Sequence, residues 1–175
     1  MKSIKELRNL IDFYPQEVVS SIKYFKQNRI DWNVYLPSKD INLQRDFVWT
    51  IDQKRELINS ILIGRHIPHC AIINTIDKED DQKDLYLIID GKQRLSTMFD
   101  FVDNKFTIVI DDTEFFFDQL PIDYQQAINN FYFRYYVINE PWENRITDKQ
   151  KINWFKFINY AGTPQDKEHL SLLSK

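Results

Sequence analysis

The stretch "LYLIIDGKQRLSTMFDFV", Leu85 to Val102, decides how the chain is read. Its first half, Leu85 to Ile89, is a continuous apolar run, the pattern of a buried strand. Its second half sets Leu95, Met98, Phe99 and Val102 at helical spacing. Asp90-Gly91 separates the halves, and Lys92, Gln93 and Arg94 follow. The chain has three glycines, and one stands at this junction. A helix N-terminus carries free backbone N–H groups and a partial positive charge. Gly91 lets the backbone turn tightly and lets a ligand approach. An anion placed there meets amide donors together with Lys92 and Arg94, which is a phosphate-site geometry. The G-x-x-x-x-G-K pattern is absent, so this is no Walker A loop. The same residues also suit a plain turn with a solvated Lys and Arg.

Outward from this junction the chain reads as α+β in one unit over 1–175, a small mixed sheet with surrounding helices. Residues 3–12 and 15–28 read as two helices, an N-terminal helical segment ending near 30. Pro15 sits at a first helical position, and Val18, Val19, Ile22 and Phe25 form the stripe. "WNVYL" (32–36) reads as a short strand, "LPSKD" as a turn, and "INLQRDFVW" (41–49) as extended or irregular. "TIDQ" (50–53) is a capping box that opens a helix bearing Ile58, Ile61 and Leu62 and ending at Gly64. "PHCAIINTI" (68–76) is a strand, and "DKEDDQKD" (77–84) reads as a solvated hairpin tip. A helix over 93–102 follows the quoted junction, and residues 105–117 read as a hairpin turning at Asp111-Asp112. "LPIDYQQAINNF" is helix, "RYYVIN" strand, and 147–160 a strong helix before a Gly162-Thr163-Pro164 turn.

Composition sets the outer bounds. An apolar content of 43% with 15% aromatics is enough for a real core. No apolar run reaches the length of a membrane span, and the first residues lack a signal-peptide core. Cys70 stands alone, which excludes an internal disulfide and suits a cytoplasmic setting. A formal charge of −3 gives no global attraction to nucleic acid, so any polyanion site must be local. "HIPHC" offers His66, His69 and Cys70, but Pro68 breaks any helical register and no second ligand cluster exists, so they read as core or loop residues.

Two further segments bear on the junction. "NLQRDFVW" sets Gln44 and Arg45 before Phe47 and Trp49, a bidentate anion ligand beside aromatic faces; both aromatics read equally well as core anchors. "FINYAGTPQ" ends a helix at Asn159 before a turn, which by itself reads as a C-cap.

Taken in order, "INLQRDFVWTIDQKRELINSILIGRHIP", "LIIDGKQRLSTMFDFV" and "WFKFINYAGTPQ" resemble the N-terminal domain of the GmrSD-type restriction family, over about Ile41 to Gln165. That family resembles the ParB/sulfiredoxin-like superfamily. The resemblance implies a domain that binds a nucleoside triphosphate and hydrolyses it with Mg²⁺, coupled to restriction of modified or foreign DNA and to phage–host conflict. By motif, Asp90, Gln93 and Arg94 are implied to be catalytic. Gln44, Arg45, Gly91, Lys92 and Asn159 are implied to bind nucleotide, with Gln44 and Arg45 as the far wall. Lys92 stands where the family often has Gln, and Ser96 where it often has Thr. With His66, His69 and His169 as its histidines the chain lacks a His-Asn-His centre, so DNA cleavage by this chain alone is not expected.

Asp90 is open to two readings: a ligand of Mg²⁺ or orienter of water beside a triphosphate, or an Asx-turn or N-cap group. The nucleotide reading implies a regulatory NTPase whose partner is DNA or a separate nuclease subunit. The alternative is a non-enzymatic DNA- or protein-binding module. On the nucleotide reading, Arg94 and Arg45 should border one cleft. Gly91→Val should harm ligand binding more than folding. Arg94→Ala should weaken NTP affinity and leave stability nearly unchanged.

Overall fold

The computed structural model describes residues 14–76, 84–141, 143 and 145–160. Its centre is a five-stranded mixed sheet of β1 (Gln16–Ser21), β2 (Arg29–Asp31), β5 (Cys70–Ile76), β6 (Asp84–Asp90) and β9 (Tyr132–Asn139), in the order β1-β9-β5-β6-β2. β1 runs antiparallel to β9, β9 parallel to β5, β5 antiparallel to β6, and β6 parallel to β2. β3 (Tyr35–Leu36) and β4 (Ile41–Asn42) form one small hairpin, β7 (Ile108–Ile110) and β8 (Thr113–Phe115) another. The helices are α1 (Ile22–Phe25), α2 (Ile51–Leu62), α3 (Lys92–Val102), α4 (Ile122–Asn129) and α5 (Asp148–Tyr160). Among the described residues no helix is long and apolar enough to cross a membrane.

The central strands carry buried apolar residues on both faces because both faces of the sheet are covered. On one face Ile72, Ile88, Tyr135 and Val137 pack with Ile58 of α2 and Leu95 and Met98 of α3. On the other, Ile73, Leu87, Ile89 and Ile138 pack with Leu36 of β3 and Trp154 and Phe155 of α5. The α+β architecture expected from sequence is therefore present. So are the strands expected over 68–76 and 85–90, as Cys70–Ile76 and Asp84–Asp90, and the helix that follows them.

Local signals hold where short-range chemistry decides. Thr50 accepts from the Gln53 N–H while the Gln53 side chain accepts from the Thr50 N–H, closing the expected capping box. Gly64, at φ 71°, follows the end of α2. Asp111 and Asp112 hold φ of 48° and 59°, the double left-handed turn a two-residue hairpin needs.

One element differs. Residues 16–21 form strand β1 rather than part of a helix over 15–28. The Val18, Ile22, Phe25 spacing is helical, but β9 offers its edge, and Gln16–Ser21 pairs with Tyr132–Val137. Tertiary pairing overrides a local pattern that β-branched Val18 and Val19 only weakly favour. The helix survives as the single turn of α1, N-capped by the Ser21 hydroxyl. Within 32–36, Trp32–Val34 is a turn held by Asp31, whose Oδ1 accepts from the Asn33 and Val34 N–H groups, and the strand is reduced to Tyr35–Leu36. The expected helix at 3–12, the Gly162-Thr163-Pro164 turn and residues 77–83 of the loop expected over 77–84 lie outside the described residues, while Asp84 is already the first residue of β6.

Candidate functional site

β6 reaches the junction through an irregularity. Ala71 pairs with Asp90 and Ile72 with Ile88, so Ile89 has no partner on β5. Its carbonyl is taken instead by the buried Gln44 side chain, whose Nε2 donates to it. Gly91 then turns the chain at φ 102° into α3. A Cβ at that position would meet the Cβ of Cys70 at 2.9 Å and its Sγ closer still. The need for glycine thus comes from close packing against β5 as well as from φ. The expectation that a side chain at 91 would harm ligand binding more than folding is corrected on this point.

Among the described residues no side chain caps the N-terminus of α3, although Gly91 and Lys92 are buried there. A buried helix end without partners leaves donors unsatisfied. Lys92 is 8% exposed. Its Nζ donates to the neutral Asn33 Oδ1 at 2.7 Å, and among the described residues no carboxylate lies within ion-pair distance. Burial lowers its pKa below the ordinary lysine value, against the opposing pull of Asp46 and Asp31. A cation short of counter-charge therefore stands at an uncapped positive helix end.

Arg94 is differently placed. Its Nη2 donates to Asp90 Oδ2 at 2.6 Å and to the His69 carbonyl at 3.1 Å, and its Nε is buried without a hydrogen-bond partner among the described residues. Burial works against its charge, and the Asp90 carboxylate bonded to it favours the charged form, so it stays protonated. Burial raises the Cys70 thiol pKa, leaving it neutral. The guanidinium does not face an empty cleft; it joins the start of α3 to β5 and β6.

Gln93 turns away from its own helix. Its Oε1 accepts from the N–H of Val48 at 3.0 Å and of Trp49 at 3.3 Å, and its Nε2 donates to the Asp46 carbonyl at 3.1 Å. The two Gln-Arg motifs are thus brought together through their glutamines. Arg45 lies between the Gln44 and Asp46 attachments; its side chain is half-buried and makes no hydrogen bond or ion pair among the described residues. Asn159 is near the end of α5, where its Nδ2 donates to the Phe155 carbonyl at 2.8 Å. Sequence reading missed Asn33 and Cys70 as partners of the junction. Nothing local signals either, since both reach it only through the tertiary fold.

Among the described residues no three His, Cys, Asp or Glu side chains converge as a metal site. Asp90 supplies a single carboxylate, one oxygen of which is held by Arg94. That fits Mg²⁺ only in the manner in which this ion takes one carboxylate and fills its remaining positions with phosphate oxygens and water.

These features define an α+β protein with a strand–turn–helix junction built on a tight glycine and clasped by an adjoining Gln-Arg segment. The chain belongs to the family described as GmrSD restriction endonuclease, N-terminal domain, whose model matches residues 21–174. No curated protein and no solved structure matches it.

Proposed function

We propose that this is a ParB/sulfiredoxin-like domain that binds a nucleoside triphosphate at the N-terminus of α3 and hydrolyses it with Mg²⁺. It would act as a sensor or regulator in DNA restriction, alongside DNA or a separate nuclease subunit. Membership of a restriction family supports the setting. The observation that carries the ligand class is the buried, uncapped start of α3 beside Lys92, a lysine with a neutral partner. A phosphate there would satisfy the free N–H groups and supply the missing negative charge. Arg45 would add a second cation. Asp90 would share Mg²⁺ with the phosphates, and the bound ion would stabilise charge developing on the transferred phosphoryl group. Gln93 and Arg94 would serve by holding this frame.

The test is a thermal-shift screen of ATP, GTP, CTP and UTP with and without Mg²⁺, followed by phosphate release. At least one nucleotide should raise the melting point, since a ligand of the native state stabilises it. Lys92→Met should weaken that nucleotide about ten- to a hundred-fold, because a charge-assisted bond contributes about 1.5–3 kcal/mol. The variant should melt no lower than the parent without ligand, since it removes a desolvated charge. Four flat nucleotide titrations would sink the proposal.

A further inference from the structure

Gln93 is the second residue of α3, yet its side chain serves another part of the chain. Its two polar atoms hold three backbone groups of the Asp46–Trp49 segment. Gln44 closes the other end of that segment against Ile89. Between the attachments Arg45 is carried without a counter-charge among the described residues. The segment runs directly into Thr50, the N-cap of α2. Lys54, one turn into α2, lies 4.4 Å from the Phe47 ring centroid and 3.5 Å from Asp100 of α3. The start of α3, the Arg45–Trp49 strap and the start of α2 are therefore mechanically joined.

We infer that Gln93 is a positioning residue that couples occupancy of the α3 N-terminus by a nucleotide phosphate to closure of the Arg45–Trp49 strap. This rests on the nucleotide reading above. A phosphate accepting from the first N–H groups of α3 fixes the turn that carries Gln93. Fixing that turn fixes the amide that holds the strap, and with it the backbone that presents Arg45. Opening the strap then loses ligand contacts. By linkage, loosening the strap weakens the ligand by the same factor that the ligand tightens the strap.

Two amide protons report the clasp directly, those of Val48 and Trp49, because both are bonded to Gln93 Oε1. Hydrogen exchange at these amides is measured on the full chain with and without whichever of ATP, GTP, CTP and UTP, each with Mg²⁺, raises the melting point. At a concentration about a hundred times Kd, exchange at both should slow by up to about a hundredfold, the linkage limit when opening expels the ligand. Exchange in the β7–β8 hairpin should stay unchanged. Gln93→Ala should abolish the ligand-dependent slowing and weaken the nucleotide. A Gln93 that merely stabilises the fold would lower the melting point and leave nucleotide affinity intact. A nucleotide that raises the melting point with unchanged Val48 and Trp49 exchange overturns the coupling and leaves the nucleotide reading standing; no response to any nucleotide overturns both. The exchange comparison on the parent chain needs no variant, so it decides even if Gln93→Ala does not fold.

Discussion

Gln44 and Gln93 reach across the same seam in opposite directions. Gln44 donates from the strap to the carbonyl of Ile89, and Gln93 reaches from α3 to the backbone of Asp46, Val48 and Trp49. Each glutamine satisfies backbone groups that their own elements leave unpaired. Ile89 lacks a β5 partner because the β5–β6 register slips there, and residues 45–50 belong to no strand. Backbone groups of that kind must find partners when buried. A side-chain amide, with a donor and an acceptor, suits both jobs. The seam brings two distant Gln-Arg motifs together without either arginine taking part.

Gly91 is confined by both backbone and packing. Gly91→Ala places a side chain at φ 102° and drives its Cβ into Cys70. Strain and overpacking of this kind each cost about 1–3 kcal/mol, so the urea midpoint should fall clearly. Cys70→Ala in the same chain should recover part of the loss, because it removes the nearer atom. A double-mutant cycle measures that recovery. An unchanged midpoint in Gly91→Ala would show that the turn relaxes freely.

Arg94 should behave as a structural residue. Arg94→Ala removes its bonds to Asp90 and the His69 carbonyl and leaves the Asp90 carboxylate, 15% exposed, without its partner. Bonds to charged groups contribute about 1.5–3 kcal/mol, and the denaturation free energy should drop by about that amount. This reverses the expectation from sequence, which set Arg94 in an open cleft. Intact stability with lost nucleotide affinity would return Arg94 to the ligand.

Glu140 gives the fold an acid limit. Burial pushes its carboxyl up, but bonds from the Thr75 hydroxyl, the Arg145 guanidinium and the Ile146 N–H outweigh that and hold it below the ordinary 4.5. A carboxylate depressed in the folded state contributes its full stability above the unfolded value. It loses that contribution as pH falls through the folded value. Melting temperature should therefore decline on acidification below about pH 4.5. Glu140→Gln should be less stable at pH 7 and show a shallower acid decline. Parallel acid limbs in parent and variant would remove Glu140 from the cause.

Sequence by itself determined whatever rests on near neighbours. The Thr50 capping box, the Asp111-Asp112 turn, the apolar run into Asp90-Gly91 and the helix after it all depend on residues a few positions apart. Their chemistry is complete within those windows. The family was legible too, because three motifs recur in fixed order. Tertiary structure alone decided the rest. Gln16–Ser21 became a strand because β9 had an edge to fill, which no helical stripe could reveal. Lys92 and Arg94 look alike in sequence, two cations in one turn. Arg94 finds a carboxylate four positions back, but the fold alone brought it the His69 carbonyl, and gave Lys92 a neutral asparagine fifty-nine positions away. Charge balance depends on which groups are brought within a few ångströms, and spacing along the chain does not fix that.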